Sequence, residues 1–203
     1  SSIDPIVVSA QIINNLQTIV SRNLDVTENA GVVTIGSIHG GNRSNIIPEQ
    51  VEMLGTVRAL TLSDEQLLIS RIKLIVTKTA EAAGATAEVE IPYSSHYPIT
   101  FNDSSLTLKM LPSLKKAAGE SFVLNTVAKT GAEDFSFFQQ KIPGLFFNVG
   151  GMPKGNGPKT TPSHHTPDFF IDENGLKTGI KAFLFLVTDY MKSPMTGSAK
   201  KGF

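Results

Sequence analysis

The sequence predicts an α/β fold built from two successive units, on three observations. Helix-period and strand-like segments alternate as far as Ile91, the composition changes after Pro92, and a second set of elements closes on a long apolar helix. The chain has 203 residues, 40 % of them hydrophobic and 18 % charged, which is enough to bury a core.

Asp4 before Pro5 is an N-cap with proline at the first helical position. Ile6, Val7, Ala10, Ile13, Leu16, Ile19 and Val20 then recur at helical spacing to about Arg22. Gly31 to Ile38 (GVVTIGSI) and Val51 to Arg58 (VEMLGTVR) are short and β-branched. With the Gly/Asn-rich stretch Gly40 to Asn45 and Pro48 between them, they predict an antiparallel hairpin with a long loop. Ser63-Asp-Glu-Gln66 reads as a capping box for a helix carrying Leu67, Ile69, Ile72, Ile75, Val76 and Ala83 to a stop at Gly84. Ala87 to Ile91 is a further strand. The order helix, strand, strand, helix, strand is that of a ferredoxin-like unit lacking its first strand.

Tyr93 to Asp103 (YSSHYPITFND) has turn-forming residues and no helical period, and marks a boundary. Beyond it, Leu106 to Ala118 is a helix containing Pro112, Phe135 to Gln140 is helical, Leu145 to Val149 (LFFNV) is a short buried strand, and Asn174 to Met191 is the long helix. Nine of the twelve Phe lie between Phe135 and Phe185, so this half is expected to hold the denser core and to pack against something larger. Met152 to Pro162 reads as a mobile loop. The predicted division is 1–92, 93–192 and a tail at 193–203, with no internal repeat.

Eighteen basic residues balance eighteen acidic ones, which gives no basic stripe for nucleic acid or for an acidic membrane. No cysteine is present, excluding thiolate catalysis, disulfides and zinc fingers. The sequence opens on Ser-Ser-Ile-Asp-Pro without a basic or signal-like leader and enters a helix at once, as a cut start would. No Gly-x-Ser-x-Gly elbow or phosphate loop occurs.

The four His, at 39, 96, 164 and 165, form none of the spacings that put two imidazoles on one face of an element. A lone loop His is more often solvated than ligating, and adjacent His164 and His165 should diverge. Thr130 to Phe138 places a small-residue turn and the pair Glu133 and Asp134 before a helix. Free amides there favour an anion, although acidic residues in a first helical turn are also a common stabilising choice. Arg58 at a strand end can clamp a carboxylate bidentately or be solvated, and Asn45 is by itself a turn residue.

Taken in order, these segments carry a resemblance. Asp4-Pro5-Ile6-Val7-Val8, Gly36-Ser37-Ile38-His39-Gly40-Gly41, Asn45-Ile46-Ile47-Pro48-Glu49, Gly55-Thr56-Val57-Arg58, Tyr97-Pro98 with Asn102-Asp103, Gly131-Ala132-Glu133-Asp134-Phe135 and His165-Thr166-Pro167-Asp168-Phe169 follow one another. The series, from Asp4 to about Met191, resembles the amidohydrolase branch of the aminoacylase-type metallopeptidases: hippurate hydrolase, N-acyl-amino-acid amidohydrolases and indoleacetyl-amino-acid hydrolases.

The resemblance implies a ferredoxin-like lid and dimerisation domain, here 1–92 and incomplete, followed by the C-terminal part of a zinc-peptidase-like α/β catalytic domain. It implies His165 as a metal ligand, and Asn45, Arg58, Gly131, Ala132 and Glu133 as substrate-binding. It also implies two divalent ions in a full-length member, zinc first and manganese, cobalt or nickel as alternatives. The family's general base and remaining ligands have no match in this sequence, so no catalytic residue is assigned. The expected parent activity is hydrolysis of the amide of an N-acyl amino acid or short peptide by a metal-activated water. The chain alone is expected to be inactive and to bind no metal stably. Its expected partners are the substrate, a second copy through the lid, and the missing N-terminal half. Cytoplasmic location is the default expectation. The competing readings are a non-catalytic ferredoxin-like dimerisation module and one subunit of a split enzyme.

Overall fold

The computed structural model describes residues 2–157 and 159–193. Two compact units are formed. One holds the residues up to Ile99 together with Ala128–Glu133, and the other holds Thr100–Val127 together with the residues from Asp134 onward.

In the first unit, α1 spans Pro5–Asn23, and the Asp4 carboxylate accepts from the Ile6 N–H at 2.9 Å. The cap satisfies one of the amides that a helix start leaves unpaired, and Pro5 has none to satisfy. The buried face is Val8, Ile12, Leu16 and Ile19, while Ile6, Val7 and Ala10, expected on the apolar face, are exposed. Strands β1 (Gly31–His39) and β2 (Glu52–Ala59) pair antiparallel from Gly31 opposite Ala59 to His39 opposite Glu52, with an irregularity between Ile35 and Ser37. Alternate residues Val33, Ile35, Met53 and Val57 turn toward the helices.

Helix α2 spans Leu62–Ala82. Its cap is Thr61, whose hydroxyl oxygen accepts from the Asp64 N–H at 3.1 Å, and not Ser63 as the sequence suggested. Thr61 is the last residue in extended conformation, and only a residue there can turn its side chain back over the first amides. The other end closes as expected on Gly84, at φ +74, with Gly84 N–H donating to Glu81 and Ala85 N–H to Ala80. Leu68, Ile72, Val76 and Ala80 complete the core with the α1 residues and Leu24.

Ala87 to Ile91 is not a strand. Its side chains keep the period of two, with Ala85, Ala87, Val89 and Ile91 packed against the core, but among the described residues the sheet contains only β1 and β2. Alternation sets which side chains turn inward; a ladder also needs a neighbouring edge at hydrogen-bonding distance, and none is provided.

In the second unit, α3 (Ser104–Ala118) is capped by Asp103, whose carboxylate accepts from Leu106 N–H at 2.7 Å, and it carries Pro112 inside it. Helices α4 (Phe135–Gln139) and α5 (Asn174–Lys192) follow. The contact of α3 with α5 buries Met110, Leu114 and Ala182 and includes a hydrogen bond from the Ser113 hydroxyl to Asp189 at 2.9 Å.

Two expectations fail here. Leu145 to Val149 forms no strand: the Asn102 side chain accepts from Phe146 N–H at 2.7 Å and donates to Phe146 O at 2.8 Å, taking the place of a neighbouring strand. Nor is the Phe-rich half the denser core. Phe138 and Phe183 are each 62 % exposed, and Phe137, Phe169 and Phe170 are also exposed. Rings do meet, Phe147 with Phe183 at 5.3 Å and Phe135 with Phe146 at 6.0 Å, but no common face encloses them. Met152 to Pro162 contains no helix or strand among its described residues. The tail expected from Ser193 lies, beyond that residue, outside the described residues.

Candidate substrate-binding and metal-ligand residues

Arg58 stands on β2 opposite Val32, and its side chain is exposed. Its Nη1–H donates to the carbonyl of Thr130 at 2.9 Å. This brings Arg58 to the start of Gly131-Ala132-Glu133, which belongs to the same compact unit. Gly131 and Ala132 are exposed, and a Cβ placed on Gly131 would meet nothing within 4 Å, so its backbone is open to an approaching ligand. Glu133 is half-buried and has an interaction of its own. Helix α4 begins only at Phe135, and Asp134 makes no side-chain cap. Glu133 and Asp134 therefore precede the helix, as their place in the sequence suggested, and are not a first helical turn, the alternative it left open.

Asn45 lies in the connection between β1 and β2, exposed, within a turn closed by Ile46 N–H to Arg43 O. That connection leaves the sheet at the His39–Glu52 pair, while Arg58 is near the Gly31–Ala59 pair. Six residues along β2, at roughly 3.4 Å each, separate the two ends by about 20 Å. Along the strands, then, the connection that holds Asn45 leaves from the end opposite to that of Arg58.

His165 lies in the second unit and is exposed, at φ +63. A non-glycine residue in this left-handed region costs on the order of 1 kcal/mol, and such positions cluster at functional sites. His164 turns its ring onto Phe169, with centroids 4.7 Å apart and the His165 ring 6.5 Å away. The two imidazoles lie side by side, tilted by 51°, and do not diverge as the sequence led us to expect.

Among the described residues no group of three or more His, Asp or Glu could hold an ion. His96 Nε2 is instead 2.6 Å from Glu65 Oε1. One exposed imidazole does not make a two-metal centre, which needs several converging donors and an open position. The residues described here therefore do not fit that group by themselves.

Sequence reasoning missed the Thr130 carbonyl, because a backbone acceptor has no residue signature. It also missed the Asn102 pairing, although Asn102 was among the segments that carried the resemblance. No helix among the described residues is long and apolar enough to cross a membrane.

Comparison with known proteins gives the context for these residues. The model of peptidase family M20/M25/M40 matches residues 6–189. Thermostable carboxypeptidase 2 of Saccharolobus solfataricus is 35 % identical over 189 residues, which are 93 % of this chain and 46 % of that protein. N-acetyldiaminopimelate deacetylase of Leuconostoc citreum is 36 % identical over 186 residues, 89 % of this chain and 45 % of that protein. The structure of the Bacillus subtilis YXEP protein, a dinuclear metal-binding peptidase of the M20 family, superposes with a TM-score of 0.68 at 28 % identity. The alignment covers 94 % of this chain and 47 % of that one. The chain thus spans about half the length of the curated relatives it matches. With 184 consecutive residues, 6–189, matched by the family model and the α/β fold shared with a solved member, the chain belongs to peptidase family M20/M25/M40.

Proposed function

We propose that this chain is the substrate-binding part of a metal-dependent amidohydrolase that cleaves the amide of an N-acyl amino acid or short peptide. The observation that carries the reading is the family match over residues 6–189. A carboxypeptidase and an N-deacetylase, both related to this chain, each break an acyl–nitrogen bond. In this reading Arg58 binds a substrate carboxylate, since its planar fork matches that group bidentately. The exposed segment Gly131-Ala132 offers backbone amides to polar substrate atoms, with Glu133 beside it. Asn45 contacts substrate from the other end of the hairpin. His165 contributes one ligand to a centre whose other donors, and whose general base, come from polypeptide outside these 203 residues. The first unit would also form the dimer. Zinc is the first metal to test, followed by manganese, cobalt and nickel.

The experiment is intact mass, metal content and amino-acid release from N-acetyl amino acids, all on one sample of the isolated protein. A chain of the mass of these 203 residues with no stoichiometric metal and no turnover supports the reading. Metal-dependent turnover by this chain alone overturns its dependence on further polypeptide. In an assembled enzyme, His165→Ala should lower metal content and activity together; unchanged metal content would remove the ligand role.

A further inference from the structure

Arg58 and Thr130 are 72 residues apart in sequence and joined by one hydrogen bond of 2.9 Å. The acceptor lies on an excursion of the chain: Ala128–Glu133 belongs to the first compact unit, whereas the residues on either side belong to the second. Among the described residues, no backbone–backbone hydrogen bond involves Ala128 to Ala132. Glu133, at the far end of the segment, has an interaction of its own, and at its start the link from β2 reaches the Thr130 carbonyl. A guanidinium has five N–H donors in a planar fork. One given to Thr130 leaves others for a ligand, and the charge remains to attract an anion.

We propose that Arg58 is a positioning residue for the segment Gly131–Glu133 as well as the anchor for a substrate carboxylate. The Thr130 bond fixes the open Gly131 backbone beside the guanidinium, and a carboxylate held by the same guanidinium stiffens the segment further. Segment order and carboxylate binding are thus coupled through one side chain. This rests on the proposed function for its ligand, but the strap itself needs no ligand.

The test is ¹⁵N relaxation on the 203-residue chain, alone and with N-acetylglycine, using neutral N-acetylglycinamide as the control. Order parameters at residues 129–133 should lie between about 0.6 and the rigid-backbone range in the unaltered protein and fall below about 0.6 in Arg58→Ala. Thr130→Ala keeps the backbone acceptor and should leave them unchanged. N-acetylglycine should raise them in the unaltered chain and not in Arg58→Ala, where its affinity should drop by about tenfold or more; the amide should do neither. Arg58 is exposed, so Arg58→Ala should fold, and Arg58→Gln serves as a second variant. Unchanged order in both variants overturns the strap. A fall in order with no response to N-acetylglycine leaves the strap standing and overturns the carboxylate reading.

Discussion

The two units use their apolar residues differently. In the first, α1 and α2 each present one aliphatic face at spacings of three and four residues, and the inward side of the β1–β2 hairpin covers them; Leu16, Ile19 and Leu68 are at most 2 % exposed. In the second, α5 carries apolar residues around much of its circumference but meets α3 on one side only, so Leu176, Ile180, Phe183, Leu184 and Val187 stay exposed. Nine Phe within Phe135–Phe185 therefore count for less than nine aliphatics on facing elements. Burial depends on a shared face and a covering layer, and residue size does not substitute for either.

The widest test of this contrast is a pair of truncations. Leu68→Ala should destabilise the first unit by about 2–5 kcal/mol, because it opens a cavity in a closed core. Phe183→Ala should change stability by no more than about 0.5 kcal/mol despite removing a larger side chain. Urea denaturation of the two variants checks this, and equal losses would break the comparison.

A smaller effect is expected where the second unit is held by polar pairing. Asn102→Ala leaves the Phe146 N–H and C=O without their side-chain partner and should cost about 1–3 kcal/mol. Loss of near-UV dichroism from the Phe cluster at lower denaturant would show it. In the first unit, Thr61→Ala should cost about 1 kcal/mol and Ser63→Ala almost nothing, as compared by thermal unfolding. The reverse order would restore Ser63 as the cap.

The smallest effect concerns pH. The Ser113 hydroxyl holds the Asp189 carboxyl below its ordinary value of 3.8; burial opposes it, and Lys116 and Lys192 add smaller lowering contributions. A carboxyl lowered by folding contributes stability that is present above its unfolded pKa and lost as pH falls through the lower folded one. Ser113→Ala should flatten the acid end of the stability–pH curve and leave neutral pH least changed in shape. An unaltered acid limb would remove this contact between α3 and α5 from consideration.

Much of the fold was legible. Asp4-Pro5, the β-branched runs on either side of Gly40 to Asn45, and Gly84 after an apolar period announce α1, the hairpin and the end of α2 through local chemistry alone. Less of the candidate site was legible. The motif order marked Arg58, Gly131 and His165. It did not reveal that Arg58 is tied to Thr130 or that His165 adopts a left-handed conformation.

By itself the sequence determined the helices and the hairpin, because caps and periodicity act over a few residues at a time, and the family, because its motifs keep their order along the chain. Only the tertiary structure decided that Ala87 to Ile91 and Leu145 to Val149 form no strand. It alone placed Ala128–Glu133 with the first unit and left the Phe-rich half uncovered. A ladder, a strap and a buried ring each require a second surface brought from far along the chain, and no local pattern of side chains specifies whether that surface arrives.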